Sequence, residues 1–363
     1  MNFPLKRALV PLGLALSLTL PAAAAGMGAF VPNTTYTGFI DVDSSAWYAA
    51  DVEKAVELGL MKGKGDGRFD PQGKLSLAEA VTMAAQVHAA YTGQTFTPGG
   101  SPWYKNAVNY ALENGLILTG EYSDYTALAT RADMAGIFTY ALPPEELPRM
   151  NRVAAVPDVT ASTDYAGAIY LLYNAGVLAG TDSGSFAPDT TIDRASAAAI
   201  LNRLALPESR VELNLTTPAA GTTLESSDGA FRLTFGVGSP EEITQDGGVG
   251  FSFTDKSGSL KALSFAKSGQ SAQTLEDFAV GKLTALRDQL GGVELLEQPD
   301  VVLFRGLSAI SWRYQIGNTI HTMFYVENST SYVELTLSHS AGADADTFYQ
   351  QLLSTAYTLD LAL

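Results

Sequence analysis

The feature that most constrains the fold of this chain is an internal repeat in its first half. Each of two clear copies has an opening aspartate, an aromatic residue, a glycine, a Gly-x-Phe-x-Pro loop and a helix-favouring run. These features stand at Asp41, Trp47, Gly59, Gly67 to Pro71 and Ser76 to Glu79, and again at Asp158, Tyr165, Gly176, Gly184 to Pro188 and Asp193 to Ser196. The glycine precedes the helix start by 17 residues in both copies. A recurring unit of this length usually sets the architecture of the whole segment.

A third, eroded copy lies between the other two. It keeps Trp103, Gly115 and the run Thr130 to Asp133, and Trp103 precedes Gly115 by the same 12 positions that separate Trp47 from Gly59. It lacks the opening aspartate and the Gly-x-Phe-x-Pro loop. The sequence therefore predicts three copies, at about residues 39–92, 96–143 and 155–206.

Each copy predicts a helix, a loop and a second helix. Apolar residues recur at helical spacing before Gly59, which suits the left-handed position that ends a helix. The second helices have predicted N-caps, and Glu79 completes the spacing of a capping box. These N-caps are Ser76, Thr130 and Asp193. One helical pair of this size cannot bury its apolar face alone, so we expect the three copies to pack around a shared centre as one domain.

Together these motifs resemble the S-layer homology repeat, a family in which three tandem copies are usual. The likeness covers residues 39–206 and rests on the order of several motifs. It implies an all-α domain in which three repeats form a pseudo-threefold prism around a central helical bundle. It also implies that grooves between repeats bind secondary cell-wall polysaccharide, often through a pyruvylated sugar; some relatives bind peptidoglycan instead.

The resemblance implies ligand-binding roles at the loops and helix starts. A pyruvyl ketal carries a carboxylate, which Arg131 or Arg194 can bind bidentately beside the N–H groups of the first helical turn. The alternative is an arginine that is solvated or paired with an acid. We expect replacement of either arginine by alanine to weaken binding and to leave the thermal unfolding midpoint nearly unchanged.

The remaining candidate residues have both a binding and a structural interpretation. The tryptophans either stack on a sugar ring or pack the core, and the aspartates either accept sugar hydroxyls or cap a turn. These further carbohydrate-binding candidates are Thr130, Asp193, Trp47, Trp103, Tyr165, Asp41, Asp158 and Glu79.

Departures from the family pattern reduce the number of complete grooves. Copy one has Leu77 at the arginine position, and copy three has Tyr165 in place of tryptophan and Ser196 in place of the motif acid. Copy two lacks the aspartate and the loop. We therefore expect fewer working grooves than repeats, with copies two and three the better candidates.

The N-terminus predicts export from a bacterial cell. Lys6 and Arg7 precede an uncharged run, residues 8–20, and small residues at 22–25 suit a signal peptidase, so we expect cleavage after Ala25. The alternative, a membrane anchor, needs about 20 apolar residues, more than this run contains. After a signal peptide of residues 1–25 and an N-terminal segment of residues 26–38, we expect a secreted protein without a membrane span, held at the cell wall or surface.

Charge and composition exclude several classes of function. The chain has 38 acidic and 22 basic residues, and its formal net charge of -16 opposes binding to nucleic-acid phosphate. It has no cysteine, and its three histidines lie far apart. We therefore expect no nucleic-acid partner, no metal site and no cofactor.

The second half predicts an antiparallel sheet with packed helices. Residues 207–222 predict a linker and entry strand, in which residues 211–215 alternate. Helices are predicted at 274–290 and 344–354. Strands are predicted at 231–235, 249–253, 260–265, 301–304, 310–315, 320–325 and 332–337. This order resembles the PsbP/Mog1-type α/β/α sandwich over roughly residues 210–363, which implies an α+β domain at 223–363 and no particular chemistry.

The sequence favours a noncatalytic, exported envelope protein that its repeats anchor to wall polysaccharide. His321 and His339 lie in or beside predicted strands and are interpreted as strand residues, and no known catalytic motif is present. One alternative is a wall-anchored hydrolase, which needs convergent carboxylates or a partnered histidine in the second half. Another is an interaction protein with degenerate repeats, which Leu77 and the eroded middle copy favour. The C-terminal domain displays a binding or assembly module whose partner the sequence does not define.

Overall fold

The chain divides into two compact units. The computed structural model describes residues 26–153, 155–181, 184–213, 221–236, 239–290 and 293–361, so the predicted signal peptide lies outside the described residues. Within them, the first unit comprises residues 26–153 and 164–213, and the second comprises 155–163 and the described residues from 221 to 361. The beginning of the third predicted repeat thus groups with the second unit.

The helices of the described first unit come in pairs, one pair for each predicted repeat. They are α1 (Ala49–Glu57), α2 (Leu77–Thr92), α3 (Lys105–Glu113), α4 (Arg131–Thr139), α5 (Ala166–Asn174) and α6 (Arg194–Ala205). The predicted N-caps are confirmed. Ser76 and Thr130 form capping boxes with Glu79 and Asp133, and the Asp193 side chain accepts a hydrogen bond from the Ser196 N–H.

The first helix of each pair ends at a glycine with a left-handed backbone. The φ angles of Gly59, Gly115 and Gly176 are 72°, 71° and 73°, a region that side-chain-bearing residues rarely adopt. The glycines fix where the chain leaves the first helix and enters the loop. Each glycine lies ten positions after the first residue of its helix, so the three first helices have the same length and the same end.

Helices of different pairs pack on one another in a cyclic order. α2 packs on α3, α4 packs on α5, and α6 packs on α1. At the last of these contacts, the buried amide of Asn202 donates to the carbonyl and the carboxylate of Asp51, at 3.0 and 2.9 Å. The second helix of every repeat therefore contacts the first helix of another repeat.

Three backbone hydrogen bonds close this cycle at its centre. The N–H of Leu75 donates to Ile192 O at 3.2 Å, that of Ile192 to Ala129 O at 3.0 Å, and that of Ala129 to Leu75 O at 2.8 Å. Each of these buried residues directly precedes the N-cap of a second helix. The starts of the three second helices are therefore bonded directly to one another, although residues 155–163 of the third repeat group with the second unit.

The second unit is built on antiparallel strands. Its strands are β1 (Thr222–Glu225), β2 (Phe231–Phe235), β3 (Glu241–Gln245), β4 (Gly248–Asp255), β5 (Gly258–Ala266), β6 (Glu294–Phe304), β7 (Leu307–Ile316), β8 (Thr319–Glu327), β9 (Ser331–Ser340) and β10 (Asp360–Leu361). One sheet has the order β3-β4-β5-β9-β8-β7-β6, and a smaller sheet has the order β1-β2-β10. All pairings are antiparallel, which confirms that prediction.

One helix lies on each face of the larger sheet. Trp312 and Tyr314 of β7 share a buried cluster with Phe278 of α7 (Leu275–Leu290). Arg313 lies between them in sequence and so faces the opposite side, where its guanidinium lies 5.2 Å from the Tyr349 ring of α8 (Ala345–Ala356). The predicted helices at 274–290 and 344–354 are confirmed.

The structure differs from the predicted strands at several places. Residues 211–213 form no strand, because the Val211 N–H donates to Gly176 O and the Leu213 N–H donates to the side chain of Asn151. Residues 214 and 215 lie outside the described part. β1 and β3 were not predicted, since they are polar and largely exposed and show no clear alternation. β6 begins at Glu294, before its predicted start.

Among the described residues, no helix has both the length and the apolar character needed to cross a membrane.

We predict that Thr130→Ala destabilises the first unit by about 1–2 kcal/mol, because the capping box of α4 is lost. Thr130 accepts from the Asp133 N–H at 3.0 Å, and its own N–H donates to the Asp133 carboxylate at 2.8 Å. Chemical denaturation followed by circular dichroism measures the change. Thr126→Ala is the matched control, since exposed Thr126 bonds only to Asp124 nearby, and its loss should cost at most about 0.5 kcal/mol. Equal effects would contradict the prediction.

Candidate functional site

Arg194 holds the loop of the first repeat from the start of α6. Its Nε donates to Phe69 O at 2.8 Å, its Nη2 donates to Lys62 O at 2.6 Å, and its guanidinium lies 4.5 Å from the centre of the Phe69 ring. The residue is 4% exposed. Burial lowers the pKa of this arginine, while the charges of Glu79, Asp70 and Asp41 oppose that shift. Arg194 therefore connects the start of α6 to the loop of the first repeat, and two of its nitrogens, Nε and Nη2, donate to carbonyls there.

Asp41 holds the same loop from the other side. Its two carboxylate oxygens accept hydrogen bonds from the N–H groups of Phe69 and Asp70, both at 2.8 Å. Burial alone would raise the pKa of Asp41, but these hydrogen bonds outweigh it and the pKa is lowered. The carboxylate thus orders the Gly-x-Phe-x-Pro loop of its own repeat rather than capping the turn that follows it.

A similar contact recurs at the loop of the third repeat. Nε of Arg131, at the start of α4, donates to Phe186 O at 2.6 Å, and the guanidinium lies 4.9 Å from the Phe186 ring. Arg131 is only half-buried, unlike Arg194. At the remaining junction the helix start carries buried Leu77, and the loop that it meets, in the middle repeat, has no Gly-x-Phe-x-Pro sequence. The arginine and the loop phenylalanine are thus missing together.

The N–H groups of the first helical turns are not open to a ligand. In all three second helices the first two N–H groups donate to loop carbonyls of another repeat. The pairs are Leu77 to Ala127, Ala78 to Tyr125, Arg131 to Thr190, Ala132 to Pro188, Arg194 to Gly73 and Ala195 to Pro71, at 2.8 to 3.0 Å. The expectation that an anion binds these N–H groups is therefore wrong, because inter-repeat packing already satisfies them.

Three further candidates serve the helix starts. Glu79 accepts from the Ser76 N–H at 2.9 Å and pairs with Lys64 at 2.8 Å. Burial raises the pKa of Glu79, but the Lys64 and Ser76 hydrogen bonds outweigh it, so the pKa is lowered. Thr130 caps α4, and Asp193 caps α6 and lies 3.5 Å from the Lys74 ammonium. A ligand role for these residues stays a prediction.

Two tryptophans are exposed beside the first helices. Trp47 is 66% exposed and Trp103 is 52% exposed, which excludes the alternative that they pack the core. Each meets the tyrosine that follows it edge-on, with ring centroids 5.4 Å apart for Trp47–Tyr48 and 5.5 Å for Trp103–Tyr104. The structure thus presents the same aromatic pair at two repeats, and an exposed indole is suited to cover the apolar face of a sugar ring.

Tyr165 does not replace the tryptophan of the third repeat. It is the residue directly before α5, as Tyr48 and Tyr104 are before α1 and α3, so Asp164 occupies the tryptophan position. The Tyr165 hydroxyl donates to Glu121 at 2.8 Å and lies 2.9 Å from the Tyr122 hydroxyl. The alignment by aromatic type was therefore shifted by one residue.

Some residues that complete these contacts are not predicted by the sequence pattern. Lys64 pairs with Glu79, and Glu121 and Tyr122 meet Tyr165. The spacing of 11 residues from Tyr165 to Gly176, which equals that from Tyr48 to Gly59, was a signal for the correct alignment. Asp158, the match of Asp41, lies half-buried in a turn, and its role stays a prediction.

The histidines of the second unit are strand residues, as predicted. His321 lies on β8, where it stacks on Tyr314 at 4.6 Å and pairs with the Ser338 hydroxyl at 2.8 Å. His339 is buried on β9. Burial lowers the pKa of both histidines. Within the part of the chain that the structure describes, no cluster of three or more potential metal ligands was found.

Comparison with known families supports the repeat assignment. A family model described as the S-layer homology domain matches residues 38–81 and 157–198. The two matches fall on the first and third repeats, and S-layer homology domains are indicative of attachment to wall polymers at the bacterial cell surface. The middle repeat, which lacks the aspartate and the loop, lies outside both matches.

Two solved structures resemble parts of the chain. One is the solution structure of the cyanobacterial PsbP protein CyanoP from Synechocystis sp. PCC 6803, with 12% identity, a TM-score of 0.31, and coverage of 41% of this chain and 97% of that one. The other is the Pseudomonas aeruginosa protein of unknown function PA94, with 13% identity, a TM-score of 0.24, and coverage of 38% and 96%. No curated protein matches the chain by sequence.

We predict that Arg194→Ala destabilises the first unit by about 2–4 kcal/mol, because the carbonyls of Phe69 and Lys62 lose a charged donor in a buried place. This corrects the expectation that the unfolding midpoint stays unchanged. Thermal and urea unfolding measure the effect.

Arg68→Ala is the matched control for Arg194→Ala. Arg68 lies in the same loop and is exposed, so its replacement should change stability by no more than about 0.5 kcal/mol. If the unfolding curve of Arg194→Ala overlays the wild-type curve, the contacts of Arg194 with Phe69 and Lys62 do not stabilise the first unit.

Proposed function

We propose that this protein is an exported, noncatalytic component of a bacterial envelope, anchored by its first unit to secondary cell-wall polysaccharide. The observation that carries the proposal is the closed hydrogen-bond cycle of Leu75, Ala129 and Ile192, which joins three S-layer homology-like repeats into one body. We propose that the ligand binds where neighbouring repeats meet, in grooves such as the family resemblance implies. The second unit is then displayed as a binding or assembly module.

The groove residues support recognition of a carbohydrate by side chains. The first-turn N–H groups are engaged, so a carboxylate on the glycan has to be met by a cationic side chain. Arg131 is the better candidate because it is only half-buried and so more accessible to a ligand, whereas Arg194 is 4% exposed. Exposed Trp47 and Trp103 supply faces for sugar rings.

The proposed grooves differ in which aromatic and arginine side chains they contain. The first repeat presents Trp47 and the second presents Trp103, whereas the third has Asp164 at this position. The junction at Leu77 has no arginine. The polymer is therefore held by a subset of the grooves, with the third repeat contributing least aromatic contact. The degenerate junction retains a structural role in closing the cycle.

The noncatalytic interpretation rests on what surrounds the ionisable groups of the second unit. His321 is committed to Tyr314 and Ser338, and the pKa of both strand histidines is lowered by burial. The buried carboxyl of Glu334 lies 3.9 Å from the Lys282 ammonium, which in turn lies 3.6 Å from the Phe265 ring. Such contacts are those of a packed interior, and we propose that the unit binds rather than cleaves.

We expect the purified full chain to sediment with wall sacculi from a bacterium that carries a pyruvylated secondary polymer, and to stay in solution once that polymer has been extracted. The reason is that the proposed contacts are made to the polymer and not to the peptidoglycan mesh. Co-sedimentation with quantification of bound protein measures this.

The extracted polymer provides the control. When it is added in solution, it should compete with intact walls for the protein. Equal retention on intact and stripped walls would refute polymer-specific attachment and point to peptidoglycan as the ligand.

We further predict that Trp47→Ala and Trp103→Ala each weaken wall binding by about 1–2 kcal/mol, a factor of about 5 to 30, because an exposed sugar-stacking face is removed. Stability should change by less than about 0.5 kcal/mol, since both side chains lie at the surface.

Leu128→Ala is the matched control for the tryptophan variants, since Leu128 is also an exposed apolar residue of the first unit. It should bind walls as the wild type does. If the tryptophan variants keep full affinity, the aromatic pairs have no part in attachment.

A further inference from the structure

A cavity in the second unit lies between α8 and one end of the larger sheet. Its volume is about 450 Å³, within the usual range of small-molecule sites. Its floor is formed by three neighbouring strands, β6, β7 and β8, and Tyr349 of α8 covers it. None of the groups discussed for wall attachment belongs to it.

The strand register brings polar side chains together on this floor. Ser311 of β7 lies opposite Asp300 of β6, and Arg313 lies between Glu297 of β6 and Thr322 of β8. These five residues all line the cavity. β6 is an edge strand whose register shifts twice between Leu295 and Asp300, and such bulges redirect side chains and are frequent beside binding sites.

Buried donors of this floor lack partners within the described residues. Thr322 is 1% exposed, and its hydroxyl has no hydrogen-bond partner there. Nε of Arg313 also has none, although Nη1 lies 3.5 Å from a Glu297 oxygen and the side chain is 18% exposed. A buried polar group that stays unpaired costs about 1–3 kcal/mol. A ligand that offers hydrogen-bond acceptors to these two donors would remove that cost.

The lining carries charges of both signs, and the Arg313 guanidinium on β7 lies next to Glu297 on β6. Arg313 and the hydroxyls of Ser311 and Thr322 supply donors on β7 and β8. Glu297 and Asp300 supply carboxylates on β6. Carboxylates accept from an ammonium group, and the guanidinium fork matches a carboxylate. The side chains of Val302 and Phe324 make the adjoining wall apolar.

We propose that this cavity is a binding site for an α-amino acid zwitterion, either free or as the amino-acid end of a diamino acid in a wall peptide. The carboxylate of the ligand bonds to Arg313, Thr322 and Ser311. Its ammonium meets Glu297 and Asp300, and its side chain lies against Val302 and Phe324. The proposal is independent of wall attachment through the first unit.

Other ligand classes fit the lining less well. An anion without an ammonium group is repelled by the two carboxylates of β6, and a simple cation is repelled by Arg313. A neutral sugar needs an exposed aromatic face, but Phe324 and Tyr349 are both buried. A ligand that carries an ammonium group and a carboxylate on the same carbon offers a partner of the right charge to all five polar side chains.

The test is isothermal titration of the purified full chain with each standard L-amino acid and with meso-diaminopimelate. We expect at least one of these probes to bind one to one with a Kd below about 1 mM. Its N-acetyl and carboxamide derivatives should each bind at least about tenfold more weakly, because each lacks one of the two charges. Preference for a standard amino acid indicates a free ligand, and preference for diaminopimelate indicates a wall peptide.

Variants locate the site. Arg313→Gln and Thr322→Val should weaken binding by about tenfold to a hundredfold and by about tenfold, respectively. Arg232→Gln is the matched control, since Arg232 is an exposed arginine of β2 that pairs with Glu225, and it should bind normally. If Arg313→Gln does not fold, Thr322→Val and Glu297→Gln carry the test.

Three results would overturn the proposal: no probe binds, binding survives unchanged in both Arg313→Gln and Thr322→Val, or the N-acetyl or carboxamide derivative binds as well as the zwitterion. Failure of this titration leaves the sedimentation of the protein with walls unaffected, and failure of the sedimentation leaves the titration unaffected.

Discussion

The first unit depends on three backbone hydrogen bonds that run in a circle through Leu75, Ala129 and Ile192. Each residue of the circle donates to one repeat and accepts from the other, so no repeat can leave without opening two buried polar groups. The circle lies one residue before each N-cap and therefore also fixes where the second helices begin. Stability and groove geometry in this unit are consequently properties of the three repeats together.

The contact between the helix-start arginine and the loop phenylalanine explains why both residues are absent at the same junction. An arginine that reaches a buried loop carbonyl is tolerated only while that carbonyl and the adjoining ring are present, since an unpaired buried charge is costly. Arg194 has Phe69 and Arg131 has Phe186, but the helix start at Leu77 meets a loop without the phenylalanine. An apolar residue suits that junction. The middle repeat keeps its place through the hydrogen-bond circle and through Tyr122, which meets Tyr165.

Features set by neighbouring residues could be predicted from the sequence. The N-caps, the glycine that ends α1 and the alternating strands of the second unit each follow from a short pattern. The burial of Arg194 could not, because its carbonyl partner Phe69 lies 125 positions away and only the closed cycle brings them together. The Tyr165 error had a different cause: residue type was matched where spacing from Gly176 should have been. β3 escaped prediction because its polar residues lie at the sheet edge and have no apolar face to alternate.

The proposed recognition of an acidic polymer by this acidic protein depends on distance. The formal charge of -16 acts from afar, but at physiological salt it is screened beyond about 8 Å. Contacts in a groove lie inside that distance, where one well-directed guanidinium outweighs scattered carboxylates. The first-turn N–H groups of the second helices donate to carbonyls of neighbouring repeats. Arg194 is buried, so its guanidinium is not accessible to a ligand either. Packing thus engages the groups that the sequence assigned to an anionic ligand, whereas the indoles of Trp47 and Trp103 stay exposed at the surface.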